Sequence, residues 1–191
     1  TFAEIDKNIE NLKRKIEQVE SLIDRVLEEE LKNVEGENVK LGDVIKKAKT
    51  VNPKSIYLTE TFDYIDVSSV NKDKLTIEVT QTLQGIDAPS RARRKVQEED
   101  IIFATIRPTL KRVALVAPEL DGQICSTGFI VLRSKKEVLL PKYLLNWMTS
   151  KSVMNTMKSL QTGASYPAVT EKQVKNINIQ IPLIEKQKEI V

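Results

Sequence analysis

The residues with the most evident chemical potential are cations grouped in the middle of the chain. Seven lysines and arginines fall between positions 91 and 112, against three acidic residues. Guanidinium groups form bidentate hydrogen bonds with phosphates and with the O6 and N7 atoms of guanine. A segment rich in arginine therefore points toward nucleic acid. Because Pro and Ser punctuate the segment, we expect these side chains on loops. On charge alone, a merely solvated basic surface remains an equal alternative.

A second segment, residues 161–168, combines small residues, hydroxyls and one aromatic ring beside a predicted helix end. Gly163 allows backbone to approach a ligand closely, and Ser165 and Tyr166 can donate hydrogen bonds to phosphate oxygens. A plain turn is the alternative, because Gly and Pro mark turns generally.

The groups needed for catalysis are sparse. The sequence contains no histidine and one cysteine, Cys125, for which ordinary burial is the simplest interpretation. It has no Asn/Asp-Pro-Pro-aromatic loop for methylating a flipped base and no phosphate-binding Gly-Lys-Ser/Thr loop. The one Glu-x-Lys match, residues 30–32, lies at the end of a predicted helix, where a solvated face is expected. We therefore predict a binding protein without cofactor or metal.

The elements that must position these residues begin with a long amphipathic helix. Apolar residues recur at 3,4 spacing from position 2 to position 26, which is a heptad seam. Through about residue 32 such a helix measures roughly 48 Å at 1.5 Å per residue. The seam predicts pairing with another helix, and packing on the chain's own domain is the alternative. The residues expected in this partner or dimer helix are Ile5, Ile9, Leu12, Ile16, Val19, Ile23 and Val26.

Charge divides the chain at the same place. Residues 1–35 carry six cations and ten acids and sum to −4, which leaves +7 for the other residues because the whole chain carries +3. The longest apolar runs are far shorter than the roughly 20 residues of a membrane span. No basic and apolar leader opens the sequence, so we expect a cytoplasmic protein.

Beyond Gly36 the sequence alternates between short strand and helix patterns, which predicts a mixed α/β fold of the α+β class. Predicted strands span 55–58, 62–67, 75–79, 100–105, 112–116, 128–132 and 177–182, and predicted helices span 40–48, 141–148, 153–160 and 183–191. We expect three parts: a coiled-coil helix at 1–35, a globular β-rich domain at 36–180 and the start of a second helix at 181–191.

Several segments together resemble the specificity subunit of type I restriction-modification systems. They are VKLGDV at 39–44, APSRARR at 88–94, EDIIFATIRP at 99–108, GQICSTGFIVL at 122–132, TGASYPA at 162–168 and INIQIPL at 177–183. The resemblance implies a target-recognition domain that reads a half-site of double-stranded DNA without catalysing a reaction. Helices that set the half-site spacing would dock methyltransferase and restriction subunits. That family usually has two such domains per subunit, whereas this chain has one.

From the basic cluster, the small-residue loop and this resemblance, we expect one set of residues to contact DNA. They are Ser90, Arg91, Arg93, Arg94, Arg107, Lys111, Arg112, Gly163, Ser165 and Tyr166. The alternative function is a homodimeric coiled-coil scaffold whose basic domain binds an acidic protein.

Overall fold

The computed structural model describes residues 2–191, which form one long helix and a mixed domain built from short strands. The helices are α1 (Phe2–Asn33), α2 (Pro53–Ile56), α3 (Pro141–Thr149), α4 (Lys151–Leu160), α5 (Glu171–Lys175) and α6 (Ile184–Ile190). The strands are β1 (Glu37–Lys40), β2 (Ile45–Lys46), β3 (Thr61–Ile65), β4 (Val70–Asn71), β5 (Thr76–Ile77), β6 (Gln81–Gln84), β7 (Ala92–Lys95), β8 (Ile101–Ala104), β9 (Val113–Leu115), β10 (Ile124–Ser126), β11 (Phe129–Ser134) and β12 (Asn178–Ile181).

Two four-stranded sheets form the body of the domain. The first has the order β6-β3-β10-β7, in which β3 and β10 run parallel and the outer pairs are antiparallel. The second has the order β2-β11-β8-β9 and is antiparallel throughout. β10 ends at Ser126 and β11 begins at Phe129, so a turn of two residues connects these strands. The two sheets are therefore joined directly at residues 127–128.

The second sheet is buried on both faces. In β8, Ile101 and Phe103 pack into one apolar cluster, whereas Ile102 and Ala104 pack into another. This follows from the alternation of side chains along a strand. Helices α3 and α4 contribute Tyr143 and other apolar residues to the first cluster, so they cover one face of the sheet.

The long helix leaves the domain beside the last helix. β1 and β12 are antiparallel, with Glu37 opposite Ile181, so α1 ends and α6 begins at adjacent positions. Lys186 Nζ lies 3.1 Å from Glu30 Oε2 across the two helices. Gly36 is required at this point, because a Cβ there would collide with the carbonyl group of Ile181.

The apolar stripe of α1 remains open to solvent. None of the residues of α1 is buried, and Ile9 and Ile16 are 45% and 56% exposed. Only the C-terminal turns of α1 contact the domain, where Leu27 and Leu31 pack on it and Glu28 accepts the N–H of Lys151. The alternative in which the stripe packs on its own domain is therefore wrong, and the seam is left available for another helix.

Three local predictions were wrong. Residues 40–48 form a 3-10 turn and the strand β2 rather than a helix, because Leu41 is fully buried and its N–H bonds to the carbonyl of Ile177. Residues 55–58 are not a strand, since Pro53 begins α2. The cations of 92–95 lie on β7 rather than on a loop, because β7 pairs with β10 and Ala92 is buried.

Candidate nucleic-acid interface

Three chain segments that carry predicted site residues lie side by side on the domain surface. The N–H of Thr127 bonds to the carbonyl of Arg91 at 2.8 Å, and the N–H of Thr105 bonds to that of Gly128 at 2.8 Å. On the other side of this segment, the N–H of Val169 bonds to the carbonyl of Thr105 at 3.0 Å. Backbone pairing thus brings three segments onto one ridge, which we call the basic ridge. They are the start of β7, residues 105–107 and residues 162–169.

A tight hairpin forms one end of the basic ridge. Thr162 and Ala168 exchange two backbone hydrogen bonds of 2.9 Å each, which close residues 163–167 into a loop. Gly163 has φ +98, and a Cβ there would lie 2.9 Å from the carbonyl oxygen of Tyr166. This position therefore requires glycine. We call residues 163–167 the hairpin tip.

Arg107 joins the hairpin tip from the neighbouring segment. Its N–H bonds to the carbonyl of Pro167 at 2.7 Å, and its backbone is left-handed at φ +49. Its guanidinium carbon lies 5.4 Å from the centre of the Tyr166 ring, within the range of cation–π attraction. Tyr166 is 73% exposed, so an aromatic ring and a stacked cation face solvent together.

The arginines on β7 and just before it differ in how firmly they are held. Arg93 Nη1 donates to Asn52 Oδ1 at 2.6 Å, and its Nε donates to the carbonyl of Ser90 at 3.0 Å. Arg91 is exposed, and its guanidinium has no hydrogen-bond partner within residues 2–191. Burial raises the pKa of the nearby Tyr64 hydroxyl, and the charge of Arg91 opposes that shift. Arg91 is thus a free guanidinium at the edge of the sheet, and Arg93 is oriented by its neighbours.

Arg94 fastens β7 to the segment that follows the hairpin. It forms an ion pair with Glu171 at the start of α5, and Lys175 lies 3.3 Å from the other carboxylate oxygen. Its Nε is buried without a partner in the described chain. Because its charge is already matched, Arg94 serves to hold the basic ridge together.

Two of the predicted residues lie away from the basic ridge. Arg112 Nη1 donates to the carbonyls of Val67 and Val70 at 3.1 and 2.9 Å, which fixes the neighbouring turn. Lys111 lines a cleft of about 440 Å³ between the domain and α1. The wall that α1 contributes to this cleft includes Glu20 and Asp24. Of the ten predicted residues, the structure therefore brings together the other eight.

Sequence reasoning missed the residues that orient these side chains. Asn52 lies 41 positions from Arg93, and Glu171 lies 77 positions from Arg94, so no local pattern connects either pair. The acidic residue after Thr170 does carry a signal, because Thr170 and Gln173 form a capping box that marks the start of a helix.

The described residues assemble no group of three or more His, Cys, Asp or Glu side chains able to hold a metal ion. Burial raises the pKa of the Cys125 thiol above its ordinary range, so the thiolate is disfavoured. No helix within residues 2–191 has both the length and the apolar character that crossing a membrane requires.

Comparison with known families decides what kind of domain this is. Residues 33–191 match the family described as "Type I restriction modification DNA specificity domain". The chain belongs to this family. Specificity subunits of type I systems are the non-catalytic, DNA-recognising components. The comparisons do not support the alternative of a coiled-coil scaffold for an acidic protein.

Individual relatives agree with the family. The specificity domain is similar to the HindI type I restriction enzyme specificity subunit of Haemophilus influenzae, with 28% identity over 107 residues. That match covers 55% of this chain and 23% of the subunit. The resemblance in sequence therefore spans a small part of the relative's length.

Solved structures resemble both the fold and the sequence of the specificity domain. The HsdS subunit of Thermoanaerobacter tengcongensis matches at 40% identity and a TM-score of 0.74, over 80% of this chain and 39% of that one. A structure of the type I R-M system, solved for its complex assembly and conformational transition, matches at 39% identity and a TM-score of 0.76, over 81% of this chain and 40% of that one. The S subunit of M. genitalium, at 12% identity and a TM-score of 0.51, supports the fold alone. The chain spans about two fifths of these subunits.

Proposed function

We propose that residues 36–180 are a target-recognition domain that reads a short half-site in double-stranded DNA. The observation that carries this proposal is the basic ridge, where backbone pairing brings the segment of the free Arg91 and the oriented Arg93 close to that of the exposed, stacked pair of Arg107 and Tyr166. Outside residues 1–35 the chain carries +7, which suits a polyanionic partner. Arg94 and Arg112 contribute by fixing this surface rather than by touching DNA.

The helical parts have a separate role in this proposal. Residues 1–35 form a spacer helix whose exposed stripe pairs with another helix, either in a second copy or elsewhere in a longer subunit, and 181–191 begin a second such helix. The assembled helices dock methyltransferase and restriction subunits, which supply the chemistry. The support is the 45–59% exposure of the stripe residues Ile5, Ile9, Leu12 and Ile16, together with the closeness of the end of α1 to the start of α6. By itself the chain neither methylates nor cleaves.

The proposal is tested by selecting tight binders from a pool of duplexes with a randomised centre, using the purified chain. We expect one short sequence to be enriched. Replacing residues 36–180 with those of a relative should change the enriched sequence, and keeping 36–180 while exchanging 1–35 should leave it unchanged. Binding without enrichment, or an enriched sequence that follows the helix, would contradict the assignment.

A second measurement tests for catalysis. Incubation of the chain with duplex DNA, Mg²⁺ and radiolabelled S-adenosylmethionine should give neither labelled nor cut DNA. A chain with its own methylating or nuclease activity would produce one or the other.

A further inference from the structure

The hairpin tip differs from the β7 edge in the reach of its side chains. Gly163, Ala164, Ser165 and Pro167 are all short, and reading a base requires a side chain that extends into a groove roughly 8.5 Å deep. The N–H groups of Ala164 and Ser165 make no backbone hydrogen bond within residues 2–191, and the Ser165 side chain is exposed. The tip therefore presents free N–H donors on its backbone. A ligand can bind them only if it comes close to the backbone itself.

Arg107 lies beside the hairpin tip, and its side chain is held against the tip. Its guanidinium stacks on the Tyr166 ring at 5.4 Å, and its left-handed backbone is fixed by the bond to the carbonyl of Pro167. A non-glycine residue in this conformation costs roughly 1 kcal/mol and persists only where its surroundings enforce it. The guanidinium is therefore held against Tyr166, which follows Ala164 and Ser165 in the hairpin tip.

Positive charge combined with exposed backbone donors and small side chains is the chemistry of phosphate binding. Base edges, by contrast, present donors and acceptors in patterns that long side chains match. In the basic ridge, Arg91 has that reach, whereas Arg107 and Tyr166, the long side chains at the hairpin tip and beside it, are stacked on each other.

We propose that Arg107 and the hairpin tip bind a phosphate of the DNA backbone and so anchor the duplex whatever its sequence, leaving base discrimination to the β7 edge. This inference rests on the proposed function. Tyr166 is a positioning residue, because its ring orients the guanidinium of Arg107. Gly163 keeps the tip in the shape that exposes the N–H groups.

The test compares Arg107→Gln with Arg91→Gln and with Arg25→Gln, which removes the same charge from the exposed face of α1. Binding to the randomised duplex pool and to single enriched duplexes is followed by fluorescence anisotropy over a range of salt concentrations. Arg107→Gln should weaken every duplex alike by about tenfold near 0.1 M salt and reduce the slope of log affinity against log salt by about 1. The set of enriched sequences should stay the same. Arg91→Gln should change that set, and Arg25→Gln should change neither property.

Two further variants separate positioning from folding. Tyr166→Leu should reproduce part of the uniform loss, and Tyr166→Phe should restore binding because the ring is kept. Gly163→Ala should weaken binding uniformly because its Cβ would lie 2.9 Å from the Tyr166 carbonyl oxygen. Gly122→Ala, at the other described glycine with positive φ, is the control for backbone strain. Circular dichroism checks that each variant is folded.

An unchanged salt slope in folded Arg107→Gln would overturn the inference, and so would a changed set of enriched sequences, since Arg107 would then read bases. If the wild-type chain binds every duplex equally, the proposed half-site reading fails, but the salt slope still decides whether Arg107 anchors phosphate. Absence of any DNA binding by the wild-type chain would overturn both.

Discussion

Asp100 and Arg133 form a bidentate ion pair beside the second sheet. Arg133 Nε donates to Asp100 Oδ1 at 2.8 Å, and Arg133 Nη2 donates to Oδ2 at 2.7 Å. Oδ2 also accepts the N–H of Gln97, and Asp100 is only 1% exposed. The hydrogen bonds to Asp100 raise the pKa of Arg133 further. The pair ties the turn before β8 to β11 and thus supports the sheet that carries the 105–107 segment.

Asp100→Asn should therefore lower the free energy of unfolding by about 2 kcal/mol, because it leaves a partly buried guanidinium without its countercharge. Urea denaturation measures this. Glu137→Gln is the matched control, since Lys46 and Glu137 form an exposed pair at 3.7 Å that should contribute below about 0.5 kcal/mol. Equal effects of the two substitutions would show that the buried pair contributes no more to the free energy of unfolding than the exposed pair.

Arg91→Ala and Arg112→Gln should separate recognition from folding. Loss of Arg91 should cost roughly 1–3 kcal/mol in binding to the enriched duplex and leave the melting temperature unchanged, because its guanidinium is free. Loss of Arg112 should instead lower the melting temperature, because two carbonyls lose their donor. Anisotropy titration and thermal melting together measure both effects. Intact binding by Arg91→Ala would remove this residue from the DNA surface.

Ile16→Asp should abolish self-association or docking through α1 without destabilising the domain. The Ile16 side chain is 56% exposed in the isolated chain, so the aspartate is solvated until a partner helix covers it and leaves its charge desolvated. Lys7→Asp, on the face of α1 opposite the stripe, is the control. Sedimentation velocity and partner pull-down measure assembly, and an unaltered assembly of Ile16→Asp would show that the stripe is not an interface.

Stability should fall at high pH because of Tyr143. Burial raises the pKa of Tyr143 from its ordinary value of 10.0 to about 12. The neutral hydroxyl is thus favoured in the folded state, so this stabilisation is complete below pH 10 and is lost as the pH rises through 12. Two pKa units correspond to about 3 kcal/mol, at about 1.4 kcal/mol per unit.

Tyr143→Phe should remove most of this alkaline loss, because the site then has no proton to release. Below pH 10 it should cost about 1 kcal/mol, since the Tyr143 hydroxyl donates to the carbonyl of Gln180 at 2.9 Å. Urea denaturation between pH 8 and about 12 measures the curve, with the exposed Tyr166→Phe as control. A curve unchanged by Tyr143→Phe would assign the alkaline loss to other groups.

Local pattern was enough to predict the elements whose character is set by their own side chains. The heptad spacing from Phe2 to Val26 gave α1, and the apolar run before Thr105 gave β8, both close to their observed bounds. Pro141 in a first turn gave α3. In each case the signal and the structure depend on residues within a few positions of one another.

The remaining features depend on distant partners. β7 became a strand because β10 and residues 49–51 pair with it, although its own sequence is highly charged. The cations from 91 to 112 likewise look equivalent in sequence. In the structure they differ in whether another group of the chain binds them. Arg91 is left free, whereas Arg94 meets Glu171 and Arg112 meets two backbone carbonyls. Which cations can meet DNA is therefore a tertiary property.

The pairing of β1 with β12 has a consequence for how such a domain can diversify. Because Glu37 lies opposite Ile181, the segment between these two strands begins and ends at a single ladder, beside which α1 ends and α6 begins. A genetic crossover on each side of the intervening segment would then replace the reading surface as one cassette. New recognition could then arise in one recombination step, provided that the incoming segment keeps the surfaces that Leu27, Leu31 and Gln187 contact.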